Sequence, residues 1–136
     1  MRLFIFGLGF LLFITSCQPK LPNDVQRTVD TINVLSNKLY ILDSIIHNTE
    51  PTNLPVEKLD SFVRITLKDY RINKQLISKN KELSAMMQNE PHLADYDEVR
   101  NCGEKRYPIK DRIEIQEKAF QAMQISLDNR SREAEE

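Results

Sequence analysis

"VQRTVDTINVLSNKLYILDSII", residues 25–46, places Val25, Thr28, Ile32, Leu35, Leu39, Leu42 and Ile46 at alternating spacings of three and four. A strand would need a period of two; this alternation is that of an α-helix with one apolar seam, three heptads long, in which Thr28 is the only polar member. Asn23 or Asp24 after Pro22 is the expected N-cap, with the acid near the positive end of the dipole. The stretch "HNTEPTNLP", residues 47–55, supplies two prolines and several turn formers, so the helix is expected to stop near Asn48.

The pattern repeats on both sides of a polar connector. A second helix is expected from about Leu54 to Asn89, with Pro55 in its first turn and Pro91 beyond its end. Its apolar residues form two sets: Val56, Leu59, Val63, Leu67 and Tyr70 on one face, Ile65, Ile72, Leu76, Leu83 and Met87 nearly opposite. Such a helix packs between neighbours or breaks near Asn73 or Asn80. The segment 90–107 is acidic in its first half and has room for a short helix from about His92 to Asn101, ended by Gly103 in the left-handed conformation. A last helix should open at Pro108 and carry Ile109, Ile113, Gln116, Phe120, Met123 and Leu127 as its seam, with Glu114 and Lys118 paired on its outside. The polar tail 130–136 should fray. The expectation is an all-α domain over residues 23–129, about three helices in an elongated hairpin or bundle with coiled-coil-like seams, with Leu35, Leu39, Leu42, Ile113 and Phe120 inside.

The chemistry-bearing residues are sparse. Nineteen basic and 20 acidic residues nearly cancel, which gives no footprint for nucleic acid. The two histidines, His47 and His92, lack companions at metal-ligand spacing, and no glycine-rich loop is present to cradle a phosphate. No cofactor, metal site or catalytic set is expected. Cys102 admits three readings: a buried inert thiol, an intermolecular disulfide, or a nucleophile whose pKa Arg100, Lys105 and Arg106 would lower. Between Lys58 and Lys81 stand seven basic residues against two acidic ones. Arg64, Lys68, Arg71 and Lys79 fall within about 80° on a helical wheel, as a solvated face or a docking strip for anionic headgroups or an acidic partner. A simple bundle would leave Ile72 and Leu76 partly uncovered, and beside that strip they are the expected partner-binding residues, toward a second copy or another protein.

The chain begins with one basic residue, Arg2, and the apolar run "LFIFGLGFLLFI", residues 3–14. Twelve helical residues reach about 18 Å, well short of the roughly 30 Å of a bilayer's hydrocarbon, so the run reads as a signal peptide and not as a span. Ile14-Thr15-Ser16-Cys17 follows at once and resembles the lipobox of bacterial lipoproteins: an aliphatic residue, two small ones and a cysteine. The resemblance covers the first seventeen residues alone. It implies that residues 1–16 are removed, that Cys17 is acylated and becomes the first mature residue, and that 17–22 is a short tether. It also implies outer-membrane sorting, since Gln18 stands where Asp commonly retains such proteins at the inner membrane, with the domain facing the periplasm. A noncatalytic module that holds or assembles a partner at that membrane is the expected role; an exclusion or inhibitor lipoprotein of plasmid or phage type is the alternative. Metabolic labelling with a fatty-acid analogue is expected to mark the full chain and not Cys17→Ala; equal labelling of the two would remove the anchor.

Overall fold

A computed structural model of the chain describes residues 19–104 and 109–135. The described residues form four α-helices: α1 (Asn23–His47), α2 (Val56–Asn89), the short α3 (Asp97–Glu104) and α4 (Ile109–Glu135), with 3-10 turns at Pro51–Asn53 and Pro91–Asp95. The described residues contain no strand, and the all-α reading holds. Lipid attachment at Cys17 and a helix start at Pro108 lie outside the described residues.

The prolines set the helix boundaries. Pro22 and Pro55 occupy the N-cap positions of α1 and α2, where a missing N–H costs nothing, and their carbonyls accept from the Gln26 and Lys58 amides. Neither Asn23 nor Asp24 is the cap; Asp24 sits in the first turn, where its charge offsets the helix dipole. At the far end of α1 the Asn48 side-chain amide donates to the Ser44 carbonyl at 2.8 Å and the Thr49 hydroxyl to that of Ile45 at 2.6 Å. The second satisfies a carbonyl that the helix no longer pairs, and the first adds to the Asn48 backbone amide's own bond to Ser44 at 3.2 Å. In the connector the structure differs from expectation. Pro91–Asp95 is a 3-10 turn, the α-helix starts only at Asp97, and Gly103 lies inside it with no positive φ among the described residues.

Every member of the α1 seam is buried, joined by Val29 and Ser36. α2 is unbroken over 34 residues, about 50 Å, and reverses direction against α1 after a short connection. Its buried residues are Leu59, Phe62, Thr66, Asp69, Ile72, Leu76 and Leu83, a single seam that winds around the helix. The upper half of that seam, with Leu21, Leu93, Val99 and Cys102, closes over α1 from Val25 to Leu42. The lower half meets α4 around Ile46, Leu59, Phe62, Ile115 and Ala122. α2 is thus packed between α1 and α4; of its first apolar set only Leu59 is buried, while Val56, Leu67 and Tyr70 are exposed.

The seam expected on α4 points the wrong way. Ile115, Lys118 and Ala122 are buried, whereas Ile113, Phe120, Met123 and Leu127 are 40% to 65% exposed and Gln116 is exposed as well. The side chain of Ile109 lies outside the described ones. Nor does the helix fray at Asn129. It continues to Glu135, because Arg130 is tied to Asp60 at 2.9 Å and the Ser131 hydroxyl donates to the Leu127 carbonyl at 3.1 Å.

Leu39 is fully buried between α1 and its neighbours. Leu39→Ala is expected to lower stability by about 2 to 5 kcal/mol in urea unfolding, and Phe120→Ala by less than about 0.5 kcal/mol.

Candidate interaction surface

Polar residues decide which way α4 faces. Arg112 reaches inward between two carboxylates, donating to Asp69 Oδ1 at 2.7 Å and to Asp43 Oδ2 at 2.6 Å. All three side chains are at most 16% exposed, so the contact lies in the interior, at the junction of α1, α2 and α4. Six residues further on, Lys118 inserts beneath the end of α1. Its ammonium donates to the carbonyl of His47 at 2.7 Å and to that of Ile46 at 3.4 Å, with the Glu50 carboxylate at 3.1 Å. A cation there meets the negative end of the helix dipole and bonds carbonyls left open by the end of the helix. Lys118, expected on the outside of α4 beside Glu114, is therefore buried, with Glu114 3.7 Å away and shared with His47.

Burial raises the Asp43 carboxyl from its ordinary range to about 7; a hydrogen bond to Asp69 adds to the rise and Arg112 opposes it. A proton on Asp43 relieves the surplus negative charge around a single guanidinium. Elsewhere the carboxylates are held low. The Ser126 hydroxyl and then Arg130 keep Asp60 below the usual range, and Lys79 followed by Thr28 does the same for Glu82.

These contacts turn the apolar seam of α4 away from α1 and toward solvent on the α2 side. Asp60 holds the edge of α2 to the edge of α4, accepting from Ser126 at 2.9 Å and from Arg130 at 2.9 Å. On an ideal wheel Val56, Leu67 and Tyr70 lie within about 80° of Asp60, and Met123, Leu127, Phe120 and Ile113 within about 100° of Arg130. All seven are exposed. On that geometry the two sets flank the α2/α4 contact, which is the candidate groove. The row Val34, Ile41 and Ile45 on α1 is shorter and is interrupted by Lys38.

The residues expected to bind a partner divide. Ile72 and Leu76 are 7% and 5% exposed and belong to the core against α1; α4 covers only the lower part of α2, so the upper apolar face is the one that α1 takes. They are not a surface. Arg64, Lys68 and Arg71 are exposed, whereas Lys79 is partly covered and paired with Glu82 at 2.6 Å. Between Ser61 and Lys81 the one acid is Asp69, which is buried, so this face of α2 is predominantly basic, with Asp60 at its lower end held low chiefly by Ser126 and in small part by Arg64. Cys102 is 3% exposed, its thiol 3.9 Å from the Val29 carbonyl, which is the inert-thiol environment. His47 and His92 are exposed, each beside a glutamate.

Among the described residues no cluster of His, Cys, Asp or Glu is arranged to hold a metal, and no helix is long and apolar enough to cross a membrane. An open cleft of about 710 Å³ beside Lys20, His92, Asp95 and Glu98 has solvated charged walls. Comparison with protein-family models, with curated proteins and with solved structures returns no match, so the reading of this surface rests on its own geometry.

The Asp43 shift has a signed consequence. Between about pH 4 and the folded value of about 7 the native state holds a proton that the unfolded chain has released, so stability falls as pH rises through that window. Urea midpoints from pH 5 to 8 should show this fall in the wild type and a flatter profile in Asp43→Asn, with the two curves closest at the acid end.

Proposed function

We propose that the chain is a lipid-anchored envelope protein whose helical domain is a noncatalytic adaptor, binding a helical protein surface through the α2/α4 groove. The single observation that carries this reading is the exposure of seven large apolar side chains on two adjacent helices. Isolated apolar residues at a surface are ordinary, but a contiguous face of this kind is a docking site in soluble proteins. Two antiparallel helices with outward seams present the geometry into which a further helix packs, knobs into holes, completing a bundle.

The lipobox-like Ile14-Thr15-Ser16-Cys17 supports the anchor, and Gln18 after it the outer-membrane location, with the domain in the periplasm. Leu21 is packed in the core, so only residues 17–20 are left as a tether, about 14 Å when extended, which would keep the groove near the lipid surface. Arg64, Lys68 and Arg71 flank the groove and would steer an acidic partner toward it.

A photo-crosslinking residue in place of Phe120, in the full chain in its native membrane, is expected to form a defined protein adduct. The same probe at Asp30, on the exposed side of α1, should give none. Equal labelling from both sites, or from neither, would remove the groove from consideration as a binding surface.

A further inference from the structure

Resting on the reading of the α2/α4 groove as a docking surface, we propose that its occupant is a second copy of this chain. The copies would pack face to face about a two-fold axis parallel to the helices. α2 of one copy then lies against α4 of the other.

Area makes the pairing adequate. Seven side chains, each 40% to 65% exposed, offer on the order of 700 Å² of apolar surface per copy. With polar neighbours included this approaches the roughly 800 Å² per partner of a stable interface, and it exceeds the apolar patch of an ordinary monomer. A single added helix would cover only part of so broad a face.

Charge selects the partner and its orientation. The rim of the groove on α2 is basic in its upper part, through Arg64 and Arg71, and carries the exposed Glu57 and Asp60 in its lower part; the rim on α4 carries Glu117 and Asp128, both exposed. At the level of Arg64 one face therefore holds a basic residue on one edge and an acid on the other, which is the local condition for self-complementarity under a two-fold axis. Internal contacts fix the levels along the helices. Asp69 stands beside Arg112, and Asp60 beside Ser126 and Arg130. Position 117 is thus level with the stretch from about residue 64 to 69 of α2. With the axis parallel to the helices, Arg64 of one copy comes opposite Glu117 of the other. An axis in the plane of the face but perpendicular to the helices would set α2 against α2 and bring the two arginine rims together, which charge repulsion disfavours.

The test is cysteine pairing across the proposed contact. Two differently tagged full chains, one Arg64→Cys and the other Glu117→Cys, are expressed together in the membrane and exposed to mild oxidant. A mixed disulfide that requires both tags is expected, and little product from Arg64→Cys alone. In detergent the wild-type chain should sediment as a dimer, and Phe120→Asp with Leu127→Asp should weaken association at least tenfold while circular dichroism keeps its helicity. A monomeric wild type without the mixed disulfide overturns the proposal. So does an Arg64→Cys self-link as strong as the mixed one. If the wild type is monomeric while the probe at Phe120 captures a different protein, the second-copy assignment fails and the adaptor reading stands. If the probe captures nothing, both fail.

Discussion

The fold turns on one guanidinium held between two carboxylates. Arg112 is the residue through which α4 registers with both other long helices at once, since Asp43 belongs to α1 and Asp69 to α2. Taking three charged groups out of water costs several kcal/mol per ion before their attraction is counted, so such a contact contributes orientation more surely than net stability. Rotation of α4 by the step that would bury Phe120 would withdraw Arg112 and leave two carboxyls facing each other in the interior. The apolar gain from burying Phe120, Met123 and Leu127 is opposed by that penalty and by the loss of Lys118 from the end of α1.

This explains why α1 was legible from the sequence and α4 was not. On α1 the buried face is also the most apolar face, so period and burial coincide. On α4 the buried face runs through Arg112, Ile115, Lys118 and Ala122, two of them charged, while the four largest apolar residues of its heptads stand outside. Periodicity established that a stripe exists but carried no information on what covers it. The signal for the true orientation lay in charges at helical spacing: a basic residue six positions before another on α4, and an acid inside an otherwise basic stretch of α2. Neither pattern is specific enough to read without the partner helices in view. The same blindness affected α2, where Thr66 and Asp69 bridge the two apolar sets into one winding seam. With those positions read as polar surface, Ile72 and Leu76 looked stranded.

Placement of Asp69 has a second effect, on the outside of the molecule. On a helical wheel Asp69 lies about 100° to 160° from Arg64, Lys68 and Arg71, so the roll that turns it to the interior turns those three to solvent. Because Arg112 draws it inward, the exposed side of α2 is left with basic residues interleaved by Leu67 and Tyr70. The interior salt bridge and the external field are therefore two consequences of one choice of helix roll.

α4 is also the most weakly held of the long helices. Its apolar anchorage comes from a small cluster, Ile115 and Ala122 against Ile46, Leu59 and Phe62, whereas α1 and the upper half of α2 share a larger core. Its remaining attachments are polar, the Arg112 and Lys118 contacts and the pairing of Asp60 with Ser126 and Arg130, of which Arg130 with Asp60 is largely solvated and contributes little. A surface made half of α2 and half of α4 exists only while α4 is docked. Any partner that covers the groove binds that docked state and not the undocked one, so by mass action it stabilises the helix that forms its own binding site. Binding at the groove and docking of α4 are thus linked equilibria, and a fold that looks under-packed in the free chain is completed by the surface it presents.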